Sequence, residues 1–281
     1  MIVSTPPGAD VGLTAAEFAA VAAILHRESR ISLSEAKASL VHGRLARRLR
    51  HCGLQDFGAY LRLVEKDEAE RAAMISALTT NHTHFFREKH HFDHLRDTVL
   101  PELRAKAARG EAVRLWSAGC SSGEEPYSIA MTLAGSDTAE AAWLRGDVRL
   151  LATDLSEAMV TATRRRTYAA LAADQVPLPY RACWLQSEGS NVRMADQLAG
   201  LITARQLNLF EPWPFQRRFD VIFCRNVMIY FDADARRELE QRLVDQLHPG
   251  GHLYIGHSER LSQPASEAMS CCGQTIYRKK D

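Results

Sequence analysis

The sequence predicts an α/β protein in which a mostly parallel, doubly wound sheet follows a small all-helical N-terminal domain. Three observations predict it. Residues 14–80 carry helix signals alone, whereas from about residue 112 short apolar runs alternate with helical stretches. Repeated strand–helix units of this size imply parallel strands with helices on both faces. The first run, Val113, Leu115 and Trp116, passes through Ser117-Ala118-Gly119-Cys120-Ser121-Ser122-Gly123 into Glu124-Glu125-Pro126, a helix start. Doubly wound sheets present their ligand at such a turn, at the carboxyl ends of the strands.

In the helical part, Thr14 and Glu17 predict a capping box ahead of Phe18, Val21, Ala22 and Leu25, which share one helical face. Ser32 and Glu35 repeat the signal before Leu40, Val41, Leu45 and Leu49, and Gly53 ends that helix. Asp56 and Asp67 cap two more helices, through Tyr60 and Val64 and through Met74 and Leu78. Strands are expected at 113–116, 148–153, 201–207, 220–224, 252–255 and 275–278. Helices are expected near 125–134, 156–166 and 233–247, the last capped by Asp232 and stopped by His248-Pro249-Gly250-Gly251. Residues 168–200 break the rhythm, with a turn at Ser187-Glu188-Gly189-Ser190-Asn191, and read as an insertion. The expected domains are therefore 1–85, helical; 86–111, a linker; and 112–281, the sheet.

Composition narrows the partners. A chain of 281 residues with 46% apolar content buries a substantial core, and a formal net charge of +1 gives no bulk field favouring nucleic acid or a membrane surface. No apolar run approaches the roughly 18–20 residues that span a bilayer. Met1 to Asp10 lacks the basic-then-apolar pattern of an export signal. Six irregularly spaced cysteines without a C-x-x-C read as reduced cytosolic thiols, so neither a disulfide frame nor a zinc site is expected. His82, His84, His90, His91 and His94 lack a consistently placed acid or cysteine, and no metal is expected there either.

The chemistry-bearing positions follow from the turn. Gly119 and Gly123 let the backbone turn sharply and approach a ligand. Glu124 and Glu125 would repel a pyrophosphate at that helix N-terminus but would attract a cationic nucleoside, of which S-adenosylmethionine is the common example. The loop also lacks the G-x-G-x-x-G dinucleotide fingerprint and a P-loop lysine. Asp154, at the tip of the second strand, is placed to accept hydrogen bonds from ribose hydroxyls or to cap the helix after it. Arg225, Asn226 and Tyr230 follow directly on a buried strand, where the sheet presents its ligand. Thr79 to Glu88, polar residues beside two aromatics and an arginine, suit a lid or a capped linker. Lys37, Arg44, Arg47, Arg48 and Arg50 have no acid among them, and Arg44, Arg47, Arg48 and His51 share one helical face. That face is either solvated or a docking surface for an acidic partner.

Together these stretches resemble the CheR-type chemotaxis receptor methyltransferases, which are protein-glutamate O-methyltransferases. The resemblance covers nearly the whole chain through TTNHTHFFRE (79–88), WSAGCSSGEEPYSIAM (116–131), ATDLSEAM (152–159), LNLFEPWPF (207–215), FDVIFCRNVMIYFD (219–232) and GGHLYIGHSERL (250–261). It implies a Rossmann-like S-adenosylmethionine-dependent methyltransferase sheet, with a small β-subdomain inserted at 168–200. The implied reaction moves methyl from S-adenosylmethionine to glutamate side chains on the cytoplasmic helices of chemoreceptors and leaves S-adenosylhomocysteine. By resemblance, cofactor contacts fall on Asn81, Thr83, Arg87, Glu125, Asp154, Asn208, Leu209, Arg225 and Asn226, with Arg87 and Tyr230 beside the transferring methyl. Arg44, Arg47 and Arg48 then become the face that docks the glutamate-rich receptor. In some members the β-subdomain grips a peptide at the receptor's C-terminus. Here the loop around Ser187–Asn191 is short and not glycine-rich, so direct recognition of the receptor bundle is expected. The expectation is a cytoplasmic, monomeric enzyme without a nucleic-acid partner or membrane insertion.

Overall fold

A computed structural model describes residues 12–281, which form two compact units dividing between Thr80 and Asn81. The reading of Met1 to Asp10 lies outside the described residues.

The first unit is four helices: α1 (Ala15–Ser29), α2 (Ala38–His51), α3 (Phe57–Lys66) and α4 (Glu68–Leu78). Their sequence caps form as physical devices. The Thr14 hydroxyl accepts from Glu17 N at 3.2 Å while the Glu17 carboxylate accepts from Thr14 N at 2.9 Å, closing the capping box. Asp56 accepts from Ala59 N, and Asp67 from Ala69 N and Glu70 N. The second capping box does not form. A 3-10 turn, Glu35–Lys37, intervenes, and α2 begins at Ala38. Val41, Leu45 and Leu49 recur every four residues and are buried. Leu40, one position off that stripe, is 44% exposed instead of facing the core.

The second unit is an α/β sheet domain. The stretch expected as a linker, 86–111, is mostly helical: α5 (Lys89–His94) runs through a π-turn at Leu95–Val99 into α6 (Leu100–Ala108). Phe92, Leu95, Val99 and Leu103 point into the core from it. The strands are β1 (Val113–Ala118), β2 (Val148–Asp154), β3 (Thr167–Ala169), β4 (Leu185–Glu188), β5 (Asn191–Met194), β6 (Ile202–Gln206), β7 (Phe219–Cys224), β8 (Leu247–Ile255), β9 (Met269–Gly273) and β10 (Ile276–Lys279). Between them stand α7 (Glu124–Ala134), α8 (Glu157–Arg165), α9 (Leu178–Trp184), α10 (Asp196–Leu201) and α11 (Ala233–Asp245).

Seven strands form one sheet in the order β6-β2-β1-β7-β8-β10-β9. The first five are mutually parallel, and β10 runs antiparallel between β8 and β9. Each central strand feeds both faces, as a sheet covered on two sides requires. Leu115, Val221, Phe223 and Tyr254 enter one core, whereas Trp116, Ile222, Leu253 and Ile255 enter the other. Strand order reverses between β1 and β7, so their carboxyl ends open the crevice where ligands bind. The insertion is a separate antiparallel sheet, β3-β5-β4, whose β4–β5 hairpin turns on Gly189 and Ser190 alone. Among the described residues no helix is long and apolar enough to cross a membrane. The six cysteines are free.

Candidate active site

At the end of β1 the chain turns through Gly119 (φ 79°), Ser121 (φ 51°) and Gly123 (φ 102°) before α7. The two glycines serve packing within the protein, which the sequence reading missed. A Cβ on Gly119 would stand 2.4 Å from Val227 Cγ2, and one on Gly123 would stand 2.6 Å from the Tyr168 hydroxyl. The turn is pinned against β2: Ser121 N donates to Asp154 Oδ2 at 2.8 Å and Ser156 N donates to Oδ1 at 2.9 Å. Burial raises the Asp154 carboxyl, against those backbone bonds. Each oxygen still has lone pairs to offer, because a carboxylate accepts about four hydrogen bonds.

Arg225 leaves β7 into this crevice and is buried between two carboxylates. Its Nη1 lies 3.1 Å from Glu125 Oε2 and its Nη2 lies 3.2 Å from Glu88 Oε2. Nη2 also donates to the Arg87 carbonyl, and the guanidinium carbon sits 5.6 Å from the Phe92 ring centroid. Ser117 donates to Glu125 Oε1 at 2.7 Å. Burial pushes the Glu125 carboxyl up, with Arg225 and Ser117 opposing it. Burial alone would also lift Glu88, but Arg225, the His257 hydrogen bonds and His91 outweigh it and hold that carboxyl at about 2.

Glu88 is the hub of the site and was not singled out from the sequence. Its Oε1 accepts from His257 N at 3.2 Å, with His257 Nδ1 3.0 Å and Asn226 Nδ2 3.5 Å away. Glu259, also not singled out, shapes the loop after β7: buried, it accepts from Gly256 N at 2.6 Å, Asn226 N at 3.1 Å and Ile229 N at 3.3 Å. Both lie inside stretches that carried the resemblance. Apart from Gly256, the partners named here are 30 or more residues away in sequence, so spacing gave no sign of their roles. Backbone strain gathers here as well. Of seven non-glycine residues with positive φ among those described, Phe86, Glu88, Ser121 and Asn226 are at the site, and such conformations persist where surrounding contacts enforce them.

The remaining candidates are placed unequally. Asn81 offers its carbonyl to Ser121 Oγ at 2.8 Å, which ties the 81–88 segment to the β1–α7 turn. Arg87 Nη1 donates to the His82 carbonyl at 3.1 Å. Thr83 and Tyr230 are half-buried, the latter closing a 3-10 turn at Met228–Tyr230. Asn208 shapes its own turn by accepting from Phe210 N at 3.0 Å, and Leu209 is buried in the Trp116 core. Arg44 and Arg48 belong to the helical unit and are engaged there. Arg44 Nη1 caps the end of α4 by donating to the Leu78 and Thr79 carbonyls at 2.8 and 2.7 Å. Arg48 pairs with Glu70. Of the three arginines only Arg47 is exposed. A shared helical face was thus read correctly, but two of its members turn back onto their own bundle.

A parallel sheet with an antiparallel last strand, an acid at the tip of β2 and a buried anionic cluster at the switch point define a Rossmann-like domain for a cationic nucleoside. The chain belongs to the CheR methyltransferase family: its all-alpha domain profile matches residues 16–79 and its SAM binding domain profile residues 81–278. A probable chemotaxis protein methyltransferase of Rhizobium etli is 44% identical over 261 residues, 91% of this chain and 96% of the relative. Chemotaxis protein methyltransferase 2 of Pseudomonas aeruginosa is 38% identical, covering 94% and 93%. The chemotaxis protein methyltransferase of Escherichia coli is also 38% identical, covering 95% and 92%.

Proposed function

We propose that this chain methylates glutamate carboxylates on the cytoplasmic helices of chemoreceptors, as a cytoplasmic monomer that recognises the receptor bundle directly. The observation that carries the reading is the charge of the buried cluster. One arginine, Arg225, faces two carboxylates, Glu88 and Glu125, so with both ionised the cluster is one negative charge in excess and suits a cationic ligand. Bound S-adenosylmethionine supplies an electrophilic methyl on a sulfonium. Glu125 and Arg225 hold its amino-acid end, and Asp154 uses its spare lone pairs on the ribose hydroxyls. Asn81, Thr83, Asn208, Leu209 and Asn226 line the remainder.

The acceptor glutamate is already ionised at neutral pH and needs no general base. What the protein contributes is alignment of carboxylate oxygen, methyl carbon and sulfur, with water kept out. Arg87, braced by the His82 carbonyl, orients the incoming carboxylate, and Tyr230 holds its second oxygen or packs the methyl. The two-residue β4–β5 turn supports recognition without a tethered peptide. On the helical unit the docking face is that of Arg44, Arg47 and Arg48, with Arg47 the most accessible. Its attraction for a glutamate-rich surface weakens with salt.

Radiolabelled methyl transfer to a purified receptor signalling fragment tests the reading. Base-labile label on glutamate is expected, and Arg87→Ala should lower turnover about a hundredfold, the scale of a misaligned reaction, with cofactor affinity little changed. Cofactor binding without transfer to the fragment would favour a scaffolding protein instead. Near-normal turnover in Arg87→Ala would remove that residue from the reaction.

A further inference from the structure

The histidine-rich start of the sheet unit meets a cysteine that the sequence places far away. One ligand atom from each of His94, His252 and Cys272 lies within 4.8 Å of the others. His94 ends α5, His252 is buried on β8, and Cys272 is exposed on the edge strand β9. The two rings are tilted by 58°, with centroids 5.6 Å apart. His94 Nδ1 lies 2.9 Å from the Tyr254 hydroxyl. In the tautomer whose Nδ1–H donates to that hydroxyl, Nε2 keeps its lone pair, the arrangement by which metal-bound histidines are oriented. Cys272 Sγ has a 3.6 Å contact to the Ile276 carbonyl, a weak bond that a metal-bound thiolate gives up.

We propose that His94, His252 and Cys272 form a binding site for a thiophilic divalent transition metal, zinc(II) above all. Two imidazoles and a thiolate are the borderline-soft N and S donors zinc takes, and three protein ligands leave a fourth tetrahedral position to water. Zinc–nitrogen and zinc–sulfur bonds of about 2.0–2.3 Å put tetrahedral ligand atoms about 3.3–3.6 Å apart. The three atoms therefore draw together by up to about 1.2–1.5 Å on binding, a movement the exposed Cys272 side chain and a turn of the His94 ring supply. Binding releases the thiol proton to solvent. The ion fastens α5 to β8 and to the edge strand β9.

The test uses the full-length chain, reduced and stripped with chelator, titrated with cobalt(II) and then with zinc(II). One equivalent of cobalt is expected, with the visible bands of a tetrahedral site and a near-ultraviolet thiolate-to-cobalt charge-transfer band, both erased by zinc. Cys272→Ser should abolish the charge-transfer band, whereas Cys271→Ser should keep it. Tyr254→Phe retains the ring and removes the hydroxyl, and should weaken affinity about ten- to a hundredfold. Zinc should raise the Tm of the wild type but not of Cys272→Ser. No stoichiometric site in the wild type, or a charge-transfer band that survives Cys272→Ser, overturns the proposal. Unchanged affinity in Tyr254→Phe overturns the assignment of His94 Nε2 as ligand.

Discussion

Each unit of the chain pairs an arginine with glutamate, and the two clusters are balanced differently. In the helical unit Arg48 donates through Nε at 3.0 Å and through Nη2 to the two oxygens of Glu70, and the Tyr60 hydroxyl adds a bond of 2.7 Å. One positive group meets one negative group. Burial pushes Glu70 up, but the Arg48 and Tyr60 hydrogen bonds outweigh it and hold the carboxyl below its ordinary range. In the sheet unit a single arginine serves two glutamates, and Arg225 Nε and Glu88 Oε2 are buried without a hydrogen-bond partner. A closed cluster holds helices together. An open one, with excess charge and polar atoms still unspent, is equipped to receive something.

The largest effect separating the two should come from Arg225→Met, which leaves two carboxylates buried without a counter-charge. It should cost about 3–5 kcal/mol in urea unfolding and abolish cofactor binding by calorimetry. Glu88→Gln removes the excess charge while keeping the shape; cofactor affinity should fall about tenfold, the scale of one charge-assisted hydrogen bond, with a smaller loss of stability. If affinity is unmoved, the open-cluster account fails. In the helical unit Glu70→Gln should cost about 1–3 kcal/mol and leave cofactor affinity as it was.

Acid should also separate the units. Folded Glu88 titrates at about 2 against an ordinary 4.5, and His91, buried and beside Arg225, at about 3 against 6.5. Through both windows the unfolded chain binds more protons than the folded one. Their stabilisation is therefore complete above about pH 6.5 and lost as pH falls towards 2. Glu70, also lowered, begins to withdraw its contribution only below 4.5. All four tryptophans, Trp116, Trp143, Trp184 and Trp213, belong to the sheet unit, so their fluorescence reports that unit alone. It should change at higher pH than the NMR signals of Tyr60, which lies in the helical unit. Smallest of all, Arg47→Glu should raise the KM for a receptor fragment a few-fold, an effect that vanishes in high salt, as expected of an exposed charge.

Much of the architecture was legible because a buried parallel strand is a run of apolar residues, as Phe219 to Cys224 is, and because helix caps are local. Strand β9 was not, since Met269-Ser270-Cys271-Cys272-Gly273 lies at an exposed sheet edge and has little to bury. The helices within 86–111 were hidden among histidines, although Phe92, Leu95, Val99 and Leu103 are spaced three and four apart. At the site, Asp154 and Arg225 were readable from their places at strand ends, and Glu125 from the first turn of the helix after Gly123. Glu88 and Glu259 were not, because what they do depends on loops that only the folded sheet brings together. For the same reason a basic face could be read on α2 but not that Arg44 and Arg48 fold back onto the bundle.

The position of Glu88 bears on where this chain can be shortened. A fragment beginning at residue 81 retains Asn81, Arg87, Glu88 and the apolar side of α5. One beginning at residue 112, where the alternating pattern starts, would strip the Phe92 ring and one carboxylate from Arg225 and leave His257 without its acceptor. Such a fragment would contain every strand of the sheet and still lack one wall of its binding crevice.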